Sequence, residues 1–301
     1  MTEEPWGTVA GSPWLEGIAA LDPHAEVIPG VTNGAVLDLH GRRHDPDGAV
    51  YEQDVVYGQG SGRDLTLDLY RRSEPSEQAP AVVFVHGGGW GGGDRWFHMR
   101  HCHSLAAAGY VTATIGYRLS GEAAWPASIE DAKCAVRWLR AHAEQLGADP
   151  ERIAVAGGSA GGHLAALVTL TPGQQEGDGG WAETSSVVQA AVLWYPAVDL
   201  VATPWPAEMA DYLVGYFGDH QADASPVNHV HGAAPPILTI TGSADTLTTL
   251  DLIRRFHDAL SDAGVDNRLE VFDGRDHAFD LFPADWQQSY DLLKSFLDAT
   301  L

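Results

Sequence analysis

The sequence predicts an α/β fold in which a mostly parallel central sheet is covered by helices on both faces. Short runs rich in apolar and β-branched residues recur along the chain, and most of them are followed by a stretch with helical spacing of its apolar residues. This alternation runs from about residue 81 to the C-terminus. It is typical of parallel sheets, because parallel neighbours need a long connection that is usually a helix.

Two antiparallel strands are predicted at the start of the sheet. Residues 51–57 mix polar and β-branched side chains as an edge strand does, and residues 65–70 alternate apolar and polar side chains. A turn at residues 58–62 would join them. Six further strands are predicted, at residues 81–85, 110–117, 153–156, 190–194, 237–241 and 268–272.

Helices are predicted between these strands, at residues 95–108, 129–146, 252–263 and 284–299 and directly after residue 159. Two segments lie outside this alternation. Residues 171–188 are rich in Gly, Gln and Ser and read as a surface loop. Residues 199–231 carry several aromatic residues, which could form a lid or pocket wall or could dock the segment onto the core.

Composition restricts the partners of the chain. Its 301 residues carry a formal net charge of −24, which argues against nucleic acid and anionic membranes as partners. No apolar run approaches membrane-spanning length, and the acidic N-terminus lacks the pattern of a signal peptide, so we expect a cytoplasmic protein. Cys102 and Cys134 lie in separate predicted helices, and the fold prediction needs no disulfide between them.

The motif G-x-S-x-G at residues 157–161 lies between a predicted strand and a predicted helix. This is the pattern of a nucleophile elbow, a sharp turn that holds a serine hydroxyl above the end of a sheet. We expect Ser159 to adopt a strained backbone conformation. Gly157 and Gly161 would then tolerate the close approach of neighbouring chain segments because they lack a Cβ.

A serine nucleophile needs a base that removes its proton and an acid that orients the base. Asp245 and His277 each follow a predicted strand, in the chain order Ser, Asp, His. The sequence therefore predicts Ser159 as nucleophile, His277 as base and Asp245 as the orienting acid. Asp199 also follows a strand and is the alternative acid, whereas Asp276 is adjacent to His277, and sequence neighbours rarely reach the geometry required.

A glycine-rich segment, residues 86–94, follows the strand at 81–85. Backbone N–H groups in such a loop can stabilise the oxyanion that forms during acyl transfer. The N–H of Ala160, at the start of the helix after Ser159, would be a further donor. Phosphate binding is the alternative, but the common phosphate-loop spacings do not occur here and no lysine is near.

Potential metal ligands cluster in the predicted helix 95–108. His98 and Cys102 are i,i+4 neighbours on one helix face, and His101 and His103 are close in sequence. No carboxylate or further histidine at ligand spacing completes a site. We therefore predict no metal and no cofactor.

Taken together, these motifs resemble those of the α/β-hydrolase superfamily and, more narrowly, of HGGG-type serine esterases around the hormone-sensitive lipase family. The resemblance covers about residues 50–301. It rests on HGGGW at 86–90, YRL at 117–119, SIED at 128–131, GGSAGG at 157–162, SAD at 243–245 and DH at 276–277.

The resemblance implies the same triad, and it implies Gly88, Gly89 and Ala160 as the oxyanion donors. His86 would then brace the loop. Gly158 is a departure, because the hormone-sensitive lipase branch usually has an acidic residue directly before the nucleophile. A glycine there is more similar to small-acyl carboxylesterases, acetyl-xylan or feruloyl esterase-like proteins and kynurenine formamidase-like proteins.

The function expected from this resemblance is that of a serine carboxylic-ester hydrolase, acting through an acyl-enzyme on small-acyl or aromatic esters. Its partner would be a small-molecule ester. Trp90, Trp125 and Tyr195 are expected near the mouth of the pocket. Amide or formamide hydrolysis, transfer to an alcohol, and a catalytically silent binding protein are the alternatives.

The same resemblance divides the chain into two parts. We expect residues 51–301 to form an α/β-hydrolase catalytic domain, with residues 199–231 as a candidate lid. Residues 1–50 show no sustained periodicity and form an N-terminal segment that is a candidate cap element.

Overall fold

One eight-stranded sheet forms the centre of the computed structural model, which describes residues 49–73 and 78–301. The strands are β1 (Ala49–Gly60), β2 (Arg63–Arg72), β3 (Ala79–Val85), β4 (Val111–Ile115), β5 (Ala148–Gly158), β6 (Ala190–Trp194), β7 (Ile237–Gly242) and β8 (Asn267–Phe272). Their order across the sheet is β1-β2-β4-β3-β5-β6-β7-β8. The β1–β2 and β2–β4 pairs are antiparallel and the other neighbouring pairs are parallel, which confirms the predicted fold class.

Helices cover both faces of this sheet. They are α1 (Met99–Ala107), α2 (Ala127–Ala141), α3 (Ala143–Leu146), α4 (Ala160–Leu170), α5 (Ala207–Phe217), α6 (Leu250–Asp262) and α7 (Pro283–Thr300). Short 3₁₀ helices lie at Arg95–His98, Gly218–His220, Pro226–His229 and Phe279–Leu281. Helices α1 and α7 pack on one face, and α2, α4, α5 and α6 pack on the other.

Alternation along the central strands separates the two cores. In β3, Val82 and Phe84 belong to the core under α1 and α7, whereas Val83 and Val85 belong to the core under α4. All four are fully buried, as expected for a strand that is covered on both sides.

The two cysteines lie on opposite sides of the sheet. Cys102 on α1 belongs to the core under α1 and α7, and Cys134 on α2 belongs to the opposite core. Both are free and buried, and the sheet between them prevents a bond.

Three elements differ in detail from the sequence prediction. The hairpin turn between β1 and β2 is confined to Ser61 and Gly62, which both have positive φ, as a two-residue turn between twisted strands requires. The helix predicted at 95–108 begins with a 3₁₀ turn. The helix predicted at 129–146 is broken at His142, whose backbone N–H and ring Nδ1 both donate to the carbonyl of Trp138.

Two other predicted segments have different outcomes. Residues 171–188 form a loop, as predicted, and buried Lys133 and Arg137 of α2 donate to its carbonyl groups. The candidate cap element at residues 1–50 falls almost entirely outside the described residues. Among the helices that are described, none combines the length and apolar character needed to cross a bilayer.

The parallel strands bring their carboxyl ends to one edge of the sheet. The glycine-rich loop follows β3, Ser159 follows β5 and Tyr195 follows β6. Asp245 follows β7 and His277 follows β8. Sites in open α/β sheets form at this edge, because the loops that leave neighbouring strands converge there.

Candidate active site

Ser159 lies in the sharp turn between β5 and α4. Its torsion angles, φ 57° and ψ −120°, are rarely adopted by residues that carry a side chain. The Ser159 N–H donates to the carbonyl of Trp194 in β6 at 2.9 Å, and the His163 N–H donates to the carbonyl of Ser159 at 2.9 Å. The strained turn predicted from the motif is confirmed.

Glycines surround this turn because there is no room for a Cβ. A Cβ at Gly157 would lie 2.5 Å from the carbonyl oxygen of Gly161, and one at Gly161 would lie 2.0 Å from the carbonyl oxygen of Val85. A Cβ at Gly158 would lie 3.0 Å from the phenol oxygen of Tyr195. An acidic side chain before the serine would therefore collide with Tyr195 where that ring now lies.

The predicted nucleophile, base and acid form one hydrogen-bonded line. His277 Nε2 lies 2.9 Å from Ser159 Oγ, and His277 Nδ1 lies 2.8 Å from Asp245 Oδ2. Because the carboxylate accepts Nδ1–H, the neutral imidazole presents the lone pair of Nε2 to the serine hydroxyl. The arrangement can transfer the serine proton to the imidazole while the carboxylate stabilises the cation that forms.

The Asp245 carboxylate is held by its own loop. Its Oδ1 accepts the N–H groups of Leu247 and Thr248, each at 2.8 Å, and its Oδ2 accepts the Thr248 hydroxyl at 3.0 Å. Thr248 Oγ1 also lies 3.1 Å from the carbonyl oxygen of Tyr195. These donors fix the orientation in which Oδ2 faces His277.

Tyr195 and Asp280 pack beside the imidazole. The rings of Tyr195 and His277 have centroids 4.6 Å apart, and the Tyr195 hydroxyl donates to Asp280 Oδ1. Asp280 is fully buried, and burial raises the pKa of its carboxyl to about 6. Packing of the Tyr195 ring, which is anchored by Asp280, therefore limits the movement of the His277 ring.

His86 braces the start of the glycine-rich loop. Its ring is buried, stacks on Tyr117 with centroids 4.3 Å apart, and donates from Nδ1 to the carbonyl of Gly87 at 2.7 Å. Burial lowers the pKa of this imidazole, which favours its neutral form. The contacts match the bracing role that the resemblance implies.

The loop leaves backbone donors without internal acceptors. Gly88 has φ 118°, and a Cβ there would lie 2.3 Å from the carbonyl oxygen of Gly92, so only glycine fits. The N–H groups of Gly88, Gly89 and Ala160 donate to no acceptor within residues 49–73 and 78–301. They are available to bind a developing oxyanion.

A small cavity of about 40 Å³ lies beside Ser159. Gly88 and Gly89 lie on its lining together with the serine and His277. The rest of its wall includes Phe97, His98, Tyr195, Ala278 and Leu281. The cavity therefore brings Ser159, His277 and the glycines of the loop to one space.

Comparison with models of known protein families shows which family the chain belongs to. A family model described as BD-FAE matches residues 67–260, which is well over half of the chain. The match includes the glycine-rich loop, Ser159 and Asp245, and ends before His277. The chain belongs to the BD-FAE family.

Named relatives of this BD-FAE chain include two proteins of Mycobacterium tuberculosis. It is 35% identical over 233 residues to the probable carboxylic ester hydrolase LipM, and the aligned region covers 70% of this chain and 52% of LipM. It is 34% identical over 247 residues to esterase LipQ, which covers 77% of this chain and 58% of LipQ. The chain thus spans a little over half the length of these curated relatives.

Solved structures with a similar fold include esterase 2 of Thermogutta terrifontis. Its sarin-phosphonylated form has a TM-score of 0.77 and 31% identity, covering 85% of this chain and 97% of that chain. Its propionate-bound form has a TM-score of 0.74 and 32% identity, covering 84% of this chain and 94% of that chain. The resemblance to α/β-hydrolase esterases is confirmed.

Two of the three aromatic residues expected at the mouth of the BD-FAE pocket lie elsewhere. Tyr195 lines the cavity, but Trp90 and Trp125 are buried in the core, where both rings pack against His163 and Phe217. Trp90 follows the loop glycines directly, yet its indole turns away from the cavity. In contrast to the expectation, neither indole lines the cavity beside Ser159.

The alternative acids do not reach the His277 ring. Asp276 Oδ1 accepts the backbone N–H groups of Thr246 and His277 at 2.9 and 2.8 Å, so it joins the two loops that carry the triad acid and base. Asp199 Oδ1 accepts the backbone N–H groups two and three residues further along in its own turn.

The histidine cluster on α1 is packed into the core. His98 and His101 are buried against Trp194, with ring centroids 5.9 and 5.3 Å from it. Burial lowers the pKa of His98 to about 3 and that of His101 well below its usual value. In the described parts of the chain, no three side chains of metal-binding type are grouped around a common point.

Sequence reasoning missed the residues that support the BD-FAE site. Thr248 lies three residues after Asp245, a spacing typical of a carboxylate turn that could have identified it. Asp280 is three residues after His277, but no local pattern predicts its burial. His163 and Tyr212 contact the glycine-rich loop from distant segments and leave no local signal.

Proposed function

We propose that this chain is a serine carboxylic-ester hydrolase that acts through an acyl-enzyme on esters of small acyl groups. The observation that carries the proposal is the hydrogen-bonded line of Ser159, His277 and Asp245 beside backbone N–H groups without internal acceptors. The names of LipM and LipQ support the same activity. This geometry supports the proposed triad and oxyanion roles.

In the proposed reaction, His277 Nε2 removes the proton of Ser159 as Oγ attacks the ester carbonyl carbon. The carbonyl oxygen becomes an oxyanion and accepts hydrogen bonds from the N–H groups of Gly88, Gly89 and Ala160. Collapse of this intermediate breaks the C–O bond, and the alkoxide leaves with the proton from the imidazolium. Water, deprotonated by His277, then attacks the acyl-serine and releases the acid.

The size of the cavity supports a preference for short acyl groups. Phe97, Tyr195 and Leu281 line a space of about 40 Å³, which holds only a few non-hydrogen atoms. Thermogutta terrifontis esterase 2, which has the same fold, is known with propionate bound and with butyrate bound. We therefore place acetate, propionate and butyrate esters first among the candidate substrates.

We also propose that residues 51–301 act as one catalytic domain. The strands from β1 to β8 belong to a single sheet, and the loops after five of them meet at Ser159. No part of this sheet can be removed without exposing a core on both faces.

A panel of 4-nitrophenyl esters from acetate to laurate tests the proposal. We expect kcat/KM to be highest for acetate to butyrate and at least about tenfold lower for laurate, because a long chain cannot enter the cavity. A fluorophosphonate probe should label Ser159. Absence of ester turnover together with absence of labelling would overturn the proposal, and faster cleavage of N-formyl aromatic amides would favour a formamidase.

A further inference from the structure

The glycine-rich loop needs external support because its backbone is unusual. Gly88, Gly89 and Trp90 have φ angles of 118°, 59° and 59°, so three successive residues lie at positive φ. Trp90 carries a side chain, for which such a conformation is unfavourable. The loop therefore keeps its shape only where the surrounding structure holds it.

Tyr212 of α5 provides one support. Its hydroxyl donates to the carbonyl of Gly89 at 2.8 Å and lies 2.7 Å from Ser120 Oγ. Burial raises the pKa of this phenol, so it stays protonated and can donate. The Ser120 N–H in turn donates to the carbonyl of Trp90 at 2.9 Å. Two successive carbonyl groups of the loop are thus held from outside.

A second support runs through His163. The Trp90 indole N–H donates to His163 Nδ1 at 3.1 Å, and His163 Nε2–H donates to the carbonyl of Ala224 at 2.6 Å. Burial lowers the pKa of His163 to about 4, so the ring is neutral and can accept and donate at the same time. This series of hydrogen bonds joins the glycine-rich loop, the elbow helix α4 and the segment 199–231.

We propose that Tyr212 is a positioning residue for the oxyanion-binding loop, and that the segment 199–231 is a fixed support of that loop. The inference rests on the proposed function. The hydrogen bond from Tyr212 to the Gly89 carbonyl restricts the torsion angles of Gly89. The N–H of the same residue is a proposed oxyanion donor. Without the phenol hydroxyl, the carbonyl loses its partner, and the Gly89–Trp90 peptide gains freedom to rotate.

Tyr212→Phe tests this with Tyr216→Phe as a matched control. Tyr216 lies one turn later on α5, and its hydroxyl is 2.8 Å from Ser128 Oγ of α2 rather than hydrogen bonded to the loop. Each variant loses one phenol hydroxyl, which is hydrogen bonded to Gly89 and Ser120 in the case of Tyr212 and to Ser128 in the case of Tyr216. With 4-nitrophenyl acetate, we expect Tyr212→Phe to lower kcat about tenfold at unchanged KM, and Tyr216→Phe to keep kcat within about twofold of wild type.

Two further measurements separate positioning from a structural role. The melting temperatures of the two variants should be similar, because each keeps its aromatic ring and loses only a phenol hydroxyl. The pH dependence of kcat/KM should be the same for Tyr212→Phe and wild type, because the proton-transfer line is untouched. A wild-type kcat in Tyr212→Phe, an equal loss of kcat in both variants, or a shifted pH profile would overturn the inference.

Failure of the inference is distinguishable from failure of the proposed function. A wild-type enzyme that hydrolyses no ester of the panel contradicts the function itself. An active wild type with an equally active Tyr212→Phe contradicts only the role of Tyr212 and leaves the ester hydrolase proposal intact.

Discussion

The two sides of Ser159 are built in different ways. On the proton-transfer side, the proposed reactive groups are the side chains of His277 and Asp245, which bond in line with the serine hydroxyl. On the oxyanion side, they are backbone N–H groups of residues such as Gly88 and Gly89, and side chains only hold them in place.

This difference determines how each side responds to substitution. A catalytic side chain can be removed completely by one substitution, and its function is then lost. A backbone N–H remains in every variant except one with proline and can otherwise only be misplaced, so its loss is graded. We therefore expect the largest effects at the serine and the triad, smaller effects in the glycine-rich loop, and the smallest effects at its supports.

Ser159→Ala should give the largest effect, a fall in kcat on the order of 10⁶-fold. The nucleophile is common to both sides, so neither side can compensate for its loss. The measurement is steady-state turnover of the best ester in the panel, with the melting temperature as a control for folding. Retention of most of the activity would show that Ser159 does not carry the acyl group.

Asp245→Asn should lower kcat about 10⁴-fold, because an amide does not hold the imidazole in the required tautomer. Asp276→Asn and Asp199→Asn serve as matched controls, since Asp199 accepts backbone N–H groups of its own turn and Asp276 accepts two backbone N–H groups and the Thr246 hydroxyl. Turnover of these controls should stay within several-fold of wild type. A fall in kcat of about 10⁴-fold in either control would identify that residue as the orienting acid instead.

Gly88→Ala should lower kcat by about 10²–10³-fold, the effect of one lost oxyanion donor. The new Cβ would lie 2.3 Å from the Gly92 carbonyl oxygen, so the loop must shift. Gly62→Ala is the control, because it also has positive φ but no atom within 4 Å of the new Cβ. An active Gly88→Ala enzyme would contradict the idea that this loop needs an accurate backbone conformation.

Two buried histidines give a prediction for the stability of the fold. His163 and His98 are fully buried and neutral, with pKa values lowered to about 4 and about 3 by burial. Between pH 6.5 and these values, the unfolded chain binds more protons than the folded chain, so stability falls as pH falls. Each histidine contributes about 1.4 kcal/mol per pH unit in that window. Asp280 has a pKa raised to about 6, so below that pH it binds a proton in the folded chain. This offsets the effect of about one histidine on stability.

Urea denaturation at several pH values measures this balance. We expect the free energy of unfolding to decrease by on the order of 1 kcal/mol per pH unit from about pH 6 to about pH 4.5, because the buried histidines outweigh the buried carboxyls of Asp280, Asp68 and Asp131, whose pKa is raised. In Asp280→Asn the opposing contribution is absent, and the decrease should be steeper by a similar amount. A free energy of unfolding that stays constant or rises over this range contradicts the burial of neutral histidines.

Much of the fold and of the proton-transfer side could be predicted from local pattern. Strand and helix periodicity predicted every strand of the sheet, and the chain order of Ser159, Asp245 and His277 placed each at a strand end. Residue type was informative here because few side chains can act as nucleophile, base or orienting acid. Trp90 and Trp125 show the limit, because position near the glycine loop does not determine which way an indole turns.

The supports and the cavity depend on contacts that no local pattern records. Tyr212 is 123 residues from Gly89, and His163 is 73 residues from Trp90, yet the two residues of each pair are hydrogen bonded. Glycine spacing and hydrophobic periodicity act over a few residues and can be read directly. A contact between distant segments is set by how the sheet and its loops pack together, and so the support of the oxyanion side and the size of the acyl cavity emerged only when the chain was folded.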